Sequence, residues 1–141
     1  MYHTIILVGR LGRDPEMRYT PSGQAVTSFS VATDYQTKGP DGNWEKKTIW
    51  VRVTVWGKQA ETASQYLKKG REVLIEGRLN PDPSTGGPKI WTRQDGTAGA
   101  SYEVTANTVR FIGGRGEGEG GLQGSGYDAG HGADAEENIP F

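Results

Sequence analysis

From Thr48 to Trp56 apolar and polar positions alternate without interruption. A strand through them places Ile49, Val51, Val53 and Val55 on one face and Trp50, Arg52, Thr54 and Trp56 on the other. The first face reads as core. The second carries two indoles with a guanidinium between them, a surface suited to flat partners such as bases, which stack at about 1 to 3 kcal/mol each.

Other strands are legible in the same way. Thr4 to Val8 is a short apolar run closed by Gly9, and Ala25 to Thr33 follows the turn signal Pro21-Ser22-Gly23. A hairpin is expected to run out through Tyr35, turn at Gly39-Pro40-Asp41-Gly42-Asn43 and return through Trp44. Glu72 to Leu79 and Tyr102 to Ile112 complete about five strands, and Trp91 lies on a segment bounded by Gly86-Gly87-Pro88 and Gly96. Phe29, Tyr66 and Phe111 fall on apolar periods and are expected in the core.

One helix is expected over Gln59 to Lys69, with Ala60, Ala63, Tyr66 and Leu67 at helical spacing. Lys68 and Lys69 would sit at its cation-favouring end, and Gly70 would stop it. Three strands, one helix and two more strands is the order of an all-β, five-stranded Greek-key barrel of the oligonucleotide-binding (OB) kind. A small sandwich fits the pattern nearly as well.

Composition separates this body from residues 113–141. The chain has 141 residues, 22 of them glycine, and 33% are hydrophobic, low for a fully packed chain. Residues 113–133 are Gly-rich and read as a flexible, disordered linker. The end, residues 134–141, joins Glu136 and Glu137 to Ile139, Pro140 and Phe141, an acidic tip with an apolar close. A frayed, solubilising terminus is the plainer reading of that tip, but it gives no reason for large apolar residues at the last positions.

Charge follows the same division. Residues 1–112 hold 15 Lys and Arg against 11 Asp and Glu, whereas residues 113–141 hold Arg115 against six acids. The overall charge of -1 therefore hides a mildly basic domain, the part to which a nucleic-acid argument applies. There is no cysteine, so disulfides and thiolate metal sites are excluded, and no metal or other cofactor is expected. With no long apolar run and no leader pattern, a soluble, cytoplasmic chain without a membrane partner is expected.

Several separated motifs then occur in order. Ile6-Leu-Val-Gly-Arg-Leu-Gly-Arg-Asp-Pro-Glu-Met-Arg18, Trp56-Gly-Lys-Gln-Ala-Glu61, Tyr66-Leu-Lys-Lys-Gly-Arg71 and Ile75-Glu-Gly-Arg-Leu79 resemble the bacterial single-stranded DNA-binding protein family, as does the acidic Ile-Pro-Phe end. The resemblance covers residues 1–112 and resumes at the tip. It implies an OB barrel assembled as a homotetramer, in a bacterial cytoplasm and associated with the nucleoid. It further implies sequence-independent coating and protection of single strands during DNA replication, recombination and repair. Trp50, Trp56 and Trp91 occupy the family's stacking positions, and Tyr35 lies near a fourth. Trp44 has no clear counterpart. The same resemblance gives Ile139, Pro140 and Phe141 a role in binding replication, recombination and repair proteins, with Glu136 and Glu137 beside them.

A non-specific single-strand binder also needs cations for phosphate. Arg52 can stack or pair with phosphate, Arg10, Arg13 and Arg18 cluster in the first segment, and Lys58, Lys89 and Arg93 lie near the aromatic positions. Against this reading, the tryptophans could instead pack between subunits, where Trp is also enriched. A catalytic role has little support: His3 and His131 lie in poor contexts, and no paired carboxylates or phosphate-cradling loop sit where a barrel could use them. A barrel-based adaptor that chiefly binds proteins is the other rival, and the docking tip beside a stacking face favours the coat-protein reading.

Overall fold

A computed structural model of the chain describes residues 1–113; the expected linker and acidic tip, including Glu136, Glu137, Ile139, Pro140 and Phe141, lie outside the described residues. Among the described residues, seven strands and one helix occur in the order β1 (Ile5–Leu11), β2 (Glu16–Tyr19), β3 (Ala25–Lys38), β4 (Trp44–Trp56), α1 (Lys58–Tyr66), β5 (Glu72–Leu79), β6 (Lys89–Thr92) and β7 (Ala98–Phe111).

Five of these strands close on themselves. Pairing runs β1-β5-β7-β4-β3, and Arg10 and Leu11 of β1 pair back with Ala32 and Val31 of β3. Every contact around the ring is antiparallel except β4 with β7, which is parallel and set by Val53 beside Val104. This is the expected five-stranded barrel with one helix, and closure removes the sandwich alternative. The two short strands are additions: β2 extends β3, and β6 forms a hairpin with β7.

The core is what the alternation dictates. Val51, Val53 and Val55 are buried while Trp50, Arg52 and Trp56, alternating with them, are exposed, and Ile49 is half-buried. Val31, Val73, Ile75 and Val104 meet them from the other strands. Full burial of each such side chain is worth about 1.5 to 3 kcal/mol, so β4 is held in register mainly by its inner face. Helix α1 adds Ala60 and Ala63, small enough for close approach. The buried Thr27 hydroxyl donates to the Ala60 carbonyl at 2.7 Å, joining helix and barrel.

Three expectations need correction. The helix ends at Tyr66, with Leu67 already extended yet buried, so Lys68 and Lys69 do not cap its C-terminal dipole. The chain turns there because it must re-enter the barrel. Gly70, at φ 83°, is the third residue of a turn closed by Arg71 N–H donating to the Lys68 carbonyl, and its own N–H donates to Leu11. Tyr66 and Phe111 are surface residues, not core: their rings meet each other at 6.0 Å between centroids, where the helix end passes the end of β7. Only Phe29 of that group is buried. Finally, residues 16–19 and 89–92 form strands too short for a periodic pattern to declare.

Candidate nucleic-acid interface

The outer face of β4 is built by pairing as much as by sequence. Trp50 lies opposite Ala32, Arg52 opposite Ser30 and Thr54 opposite Ser28, so from Trp50 to Thr54 the neighbouring strand presents only small side chains. Continuing outward, Ala32 also pairs with Arg10 of β1, and Val26, opposite Trp56, pairs with Arg18 of β2. Directly paired antiparallel residues share a face. Each indole therefore has an arginine in its own cross-strand row, two strands away or about 10 Å. Trp50 looks along its row to Arg10, and Trp56 along its row to Arg18.

Between those rows the exposed guanidinium groups of Arg13 and Arg52 line one concavity together with Ser28 and Ser30. Asp14 and Glu16 sit at its edge. Four of the five arginines expected from sequence to follow phosphate are thus gathered on one side of the barrel. The exposed Arg10 lies 3.9 Å from the half-buried Glu72, a contact of little energetic weight at that distance. Arg13, Arg18 and Arg52 form no ion pair among the described residues.

Trp50 is held by a glycine. A β-carbon on Gly12 would collide with the Trp50 ring, coming 2.7 Å from Cη2, so the indole rests against bare backbone at the end of β1. Gly12, Arg13, Ser30 and Trp50 line a groove there. A second groove beside Trp50 is lined by Tyr35, Thr48, Arg52, Ser101 and Tyr102 among others. Tyr35, about half exposed, thus stands near Trp50, although its strand position opposite Lys47 gives it the opposite parity.

Trp91 is mounted differently. It pairs with Gly99 across the β6–β7 hairpin, and a β-carbon there would come within 2.7 Å of the indole, so the ring covers the glycine. Arg93 closes the same hairpin, its Nη1 donating to the Ala98 carbonyl at 2.8 Å and to Thr97 Oγ1 at 3.3 Å. Lys89 is bound to Glu103, Nζ to Oε2 at 2.8 Å, and Glu103 is the more buried partner. Those two cations are structural in the free protein. Lys58 is exposed at the start of α1, two residues beyond Trp56.

The outer hairpin carries one anion on this face. Asp34 accepts from Lys46 Nζ at 2.8 Å and from Thr48 Oγ1 at 2.7 Å, and the Lys46 bond, then the Thr48 bond, hold its carboxyl below the usual carboxylate range. No group of three or more His, Asp or Glu suited to a metal occurs among the described residues. No helix among them is long and apolar enough to cross a membrane.

Tyr102, Gly12 and Gly99 carry no functional signal in the sequence. Tyr102 reaches the Trp50 groove because β7 runs parallel to β4, a pairing of strands about fifty residues apart that no local pattern announces. The glycines matter through what rests on them.

The sequence model of the single-strand binding protein family matches residues 2–112. The single-stranded DNA-binding protein of Neisseria meningitidis serogroup A is 42% identical over 128 residues, covering 91% of this chain and 68% of that protein. The corresponding protein of Xanthomonas axonopodis pv. citri is 45% identical over 114 residues, covering 81% of this chain and 59% of its own length. Among solved structures, a deletion mutant of the single-stranded DNA binding protein from Thermus aquaticus superposes with a TM-score of 0.62 at 28% identity, over 79% of this chain and 51% of that one. With a matched segment that takes in the whole barrel and its arginine and tryptophan rows, this chain belongs to the single-strand binding protein family.

Proposed function

We propose that the chain binds single-stranded DNA without regard to sequence, stacking bases on Trp50, Trp56, Trp91 and Tyr35 while Arg10, Arg13, Arg18 and Arg52 follow the phosphates. The observation that carries this is the pair of cross-strand rows, Arg10–Ala32–Trp50 and Arg18–Val26–Trp56. Each puts a cation and a flat ring on the same face, about 10 Å apart. Every base has a π-face, so such a surface tolerates any sequence. A duplex hides those faces within its own stack. The same geometry therefore favours single strands.

Coating of single strands by a homotetramer, in replication, recombination and repair, is the role this reading supports. Lys58, Lys89 and Arg93 are secondary phosphate candidates, the last two only if DNA draws them from Glu103 and the hairpin carbonyl. Residues 1–112 act as the binding domain, 113–133 as linker and 134–141 as the tip. Ile139, Pro140 and Phe141, with Glu136 and Glu137, recruit partner proteins by entering a basic-rimmed apolar pocket. Until DNA arrives, the tethered acidic segment competes for the basic face at high local concentration.

The test compares binding to oligo-dT and to duplex of equal length, with mass in solution measured alongside. Trp50→Ala and Trp56→Ala should each weaken single-strand binding by about 1 to 3 kcal/mol with mass unchanged. Equal affinity for duplex, or dissociation of the alanine variants into monomers, would overturn the stacking assignment. Deleting the last eight residues should abolish capture of partner proteins and leave DNA affinity intact or slightly tighter; lost DNA affinity would contradict the tip model.

A further inference from the structure

Trp44 is the most exposed of the four tryptophans, at 69%, and stands at the far end of the β3–β4 hairpin. Its place in the chain is not arbitrary. Residues 44–56 read Trp-x-Lys-x-Thr-x-Trp-x-Arg-x-Thr-x-Trp, so the pattern between Trp50 and Trp56 occurs twice in succession, with Trp50 shared.

The fold keeps that repeat on one face. Pairing of β3 with β4 runs unbroken from Val26 opposite Trp56 to Lys38 opposite Trp44, with no bulge to change parity. Trp44, Lys46, Thr48 and Trp50 therefore lie on the same side of the strand as Arg52, Thr54 and Trp56. Each repeat spans about 20 Å. Strand twist turns this face gradually along the ribbon, so a polymer tracking it would wind with the hairpin. Lys38, directly across from Trp44, makes no ion pair among the described residues.

The two repeats differ in how their cations are held. Arg52 faces Ser30 and has no acidic partner among the described residues, whereas Lys46 is bound to Asp34. A phosphate reaching the outer repeat has to displace that carboxylate.

We propose that residues 44–50 form a second, outer stacking segment, with Trp44 as its base platform, Lys38 and Lys46 as its phosphate contacts and Asp34 as the anion that must yield. The inference rests on the single-strand reading of the inner segment. It extends that site along the hairpin: short strands fill the inner repeat, and only longer ones reach Trp44.

A series of oligo-dT lengths tests this with the full chain, Trp44→Ala, Trp44→Phe and Asp34→Asn, each checked for mass. The wild-type chain should gain affinity above a threshold length. Trp44→Ala should lose that gain, about fivefold or more, with short strands unaffected. Trp44→Phe should keep most of it, and Asp34→Asn should increase it. Identical curves for wild type and Trp44→Ala at all lengths would overturn the proposal, as would a change of mass in Trp44→Ala, which would seat Trp44 between copies of the chain. Failure of the wild-type chain to bind oligo-dT at any length would instead remove the underlying function.

Discussion

The Trp50 indole rests on Gly12, where any side chain would occupy the space the ring now fills. The position of the aromatic platform thus depends on an atom that is missing from the bend that follows β1. Gly12→Ala should displace Trp50 and lower single-strand affinity toward the Trp50→Ala value, a loss of up to about 1 to 3 kcal/mol. Near-native melting with weakened oligo-dT binding is the expected result. Unchanged binding would mean that the orientation of Trp50 is not used.

Much of this site is legible without the fold. Strict alternation assigns both faces of β4, and the arginines of the first segment stand out by type. What the chain does not announce is adjacency: Arg10 and Arg18 acquire meaning only when β1 and β2 pair with β3 and bring each into row with an indole. Lys89 and Arg93 stand out on the same grounds as Arg52, yet they are held by Glu103 and by the hairpin turn. Tyr66 and Phe111 mislead for a related reason. A helical or strand period marks a side but not a depth: Tyr66 closes the helix at the edge of the stripe formed by Ala60 and Ala63, and the extended Leu67 after it fills the core instead.

The contrast between free and engaged cations can be measured through salt. Binding should weaken with salt at a slope of about -0.7 per phosphate neutralised. Arg52→Gln should make that slope shallower by about one such step, whereas Lys89→Gln should leave it nearly unchanged because the Lys89 charge is committed to Glu103. Equal changes in the two variants would show that DNA releases Lys89 from its partner.

Asp34 gives a pH signature of definite sign. Its folded-state pKa lies below the unfolded value, so the stabilising contribution of its clasp on Lys46 and Thr48 is fully present above the ordinary carboxylate range. It is lost as pH falls through the lowered folded value. The hairpin resonances of Lys46 and Thr48 should be constant from neutral pH to about pH 5 and change only in stronger acid. A transition near neutrality would contradict the assignment. Asp34→Asn should remove the acid transition altogether.

The Thr27 hydroxyl, buried and donating to Ala60, tests the link between helix and barrel. Thr27→Val keeps the volume and removes the donor, which should destabilise the domain by about 1 kcal/mol, read in denaturant unfolding. Affinity for oligo-dT, measured well below the midpoint, should be unchanged.

Bases that lie on exposed tryptophans must alter their emission when the strand binds. Titration with oligo-dT, followed by tryptophan fluorescence with the mass of the complex measured in parallel, reads that contact at the rings themselves. Strong quenching should saturate at a defined number of nucleotides per protein and should fall in Trp50→Phe and Trp56→Phe, whose binding persists. Saturable binding with no quenching would place the DNA elsewhere and contradict base stacking on these tryptophans.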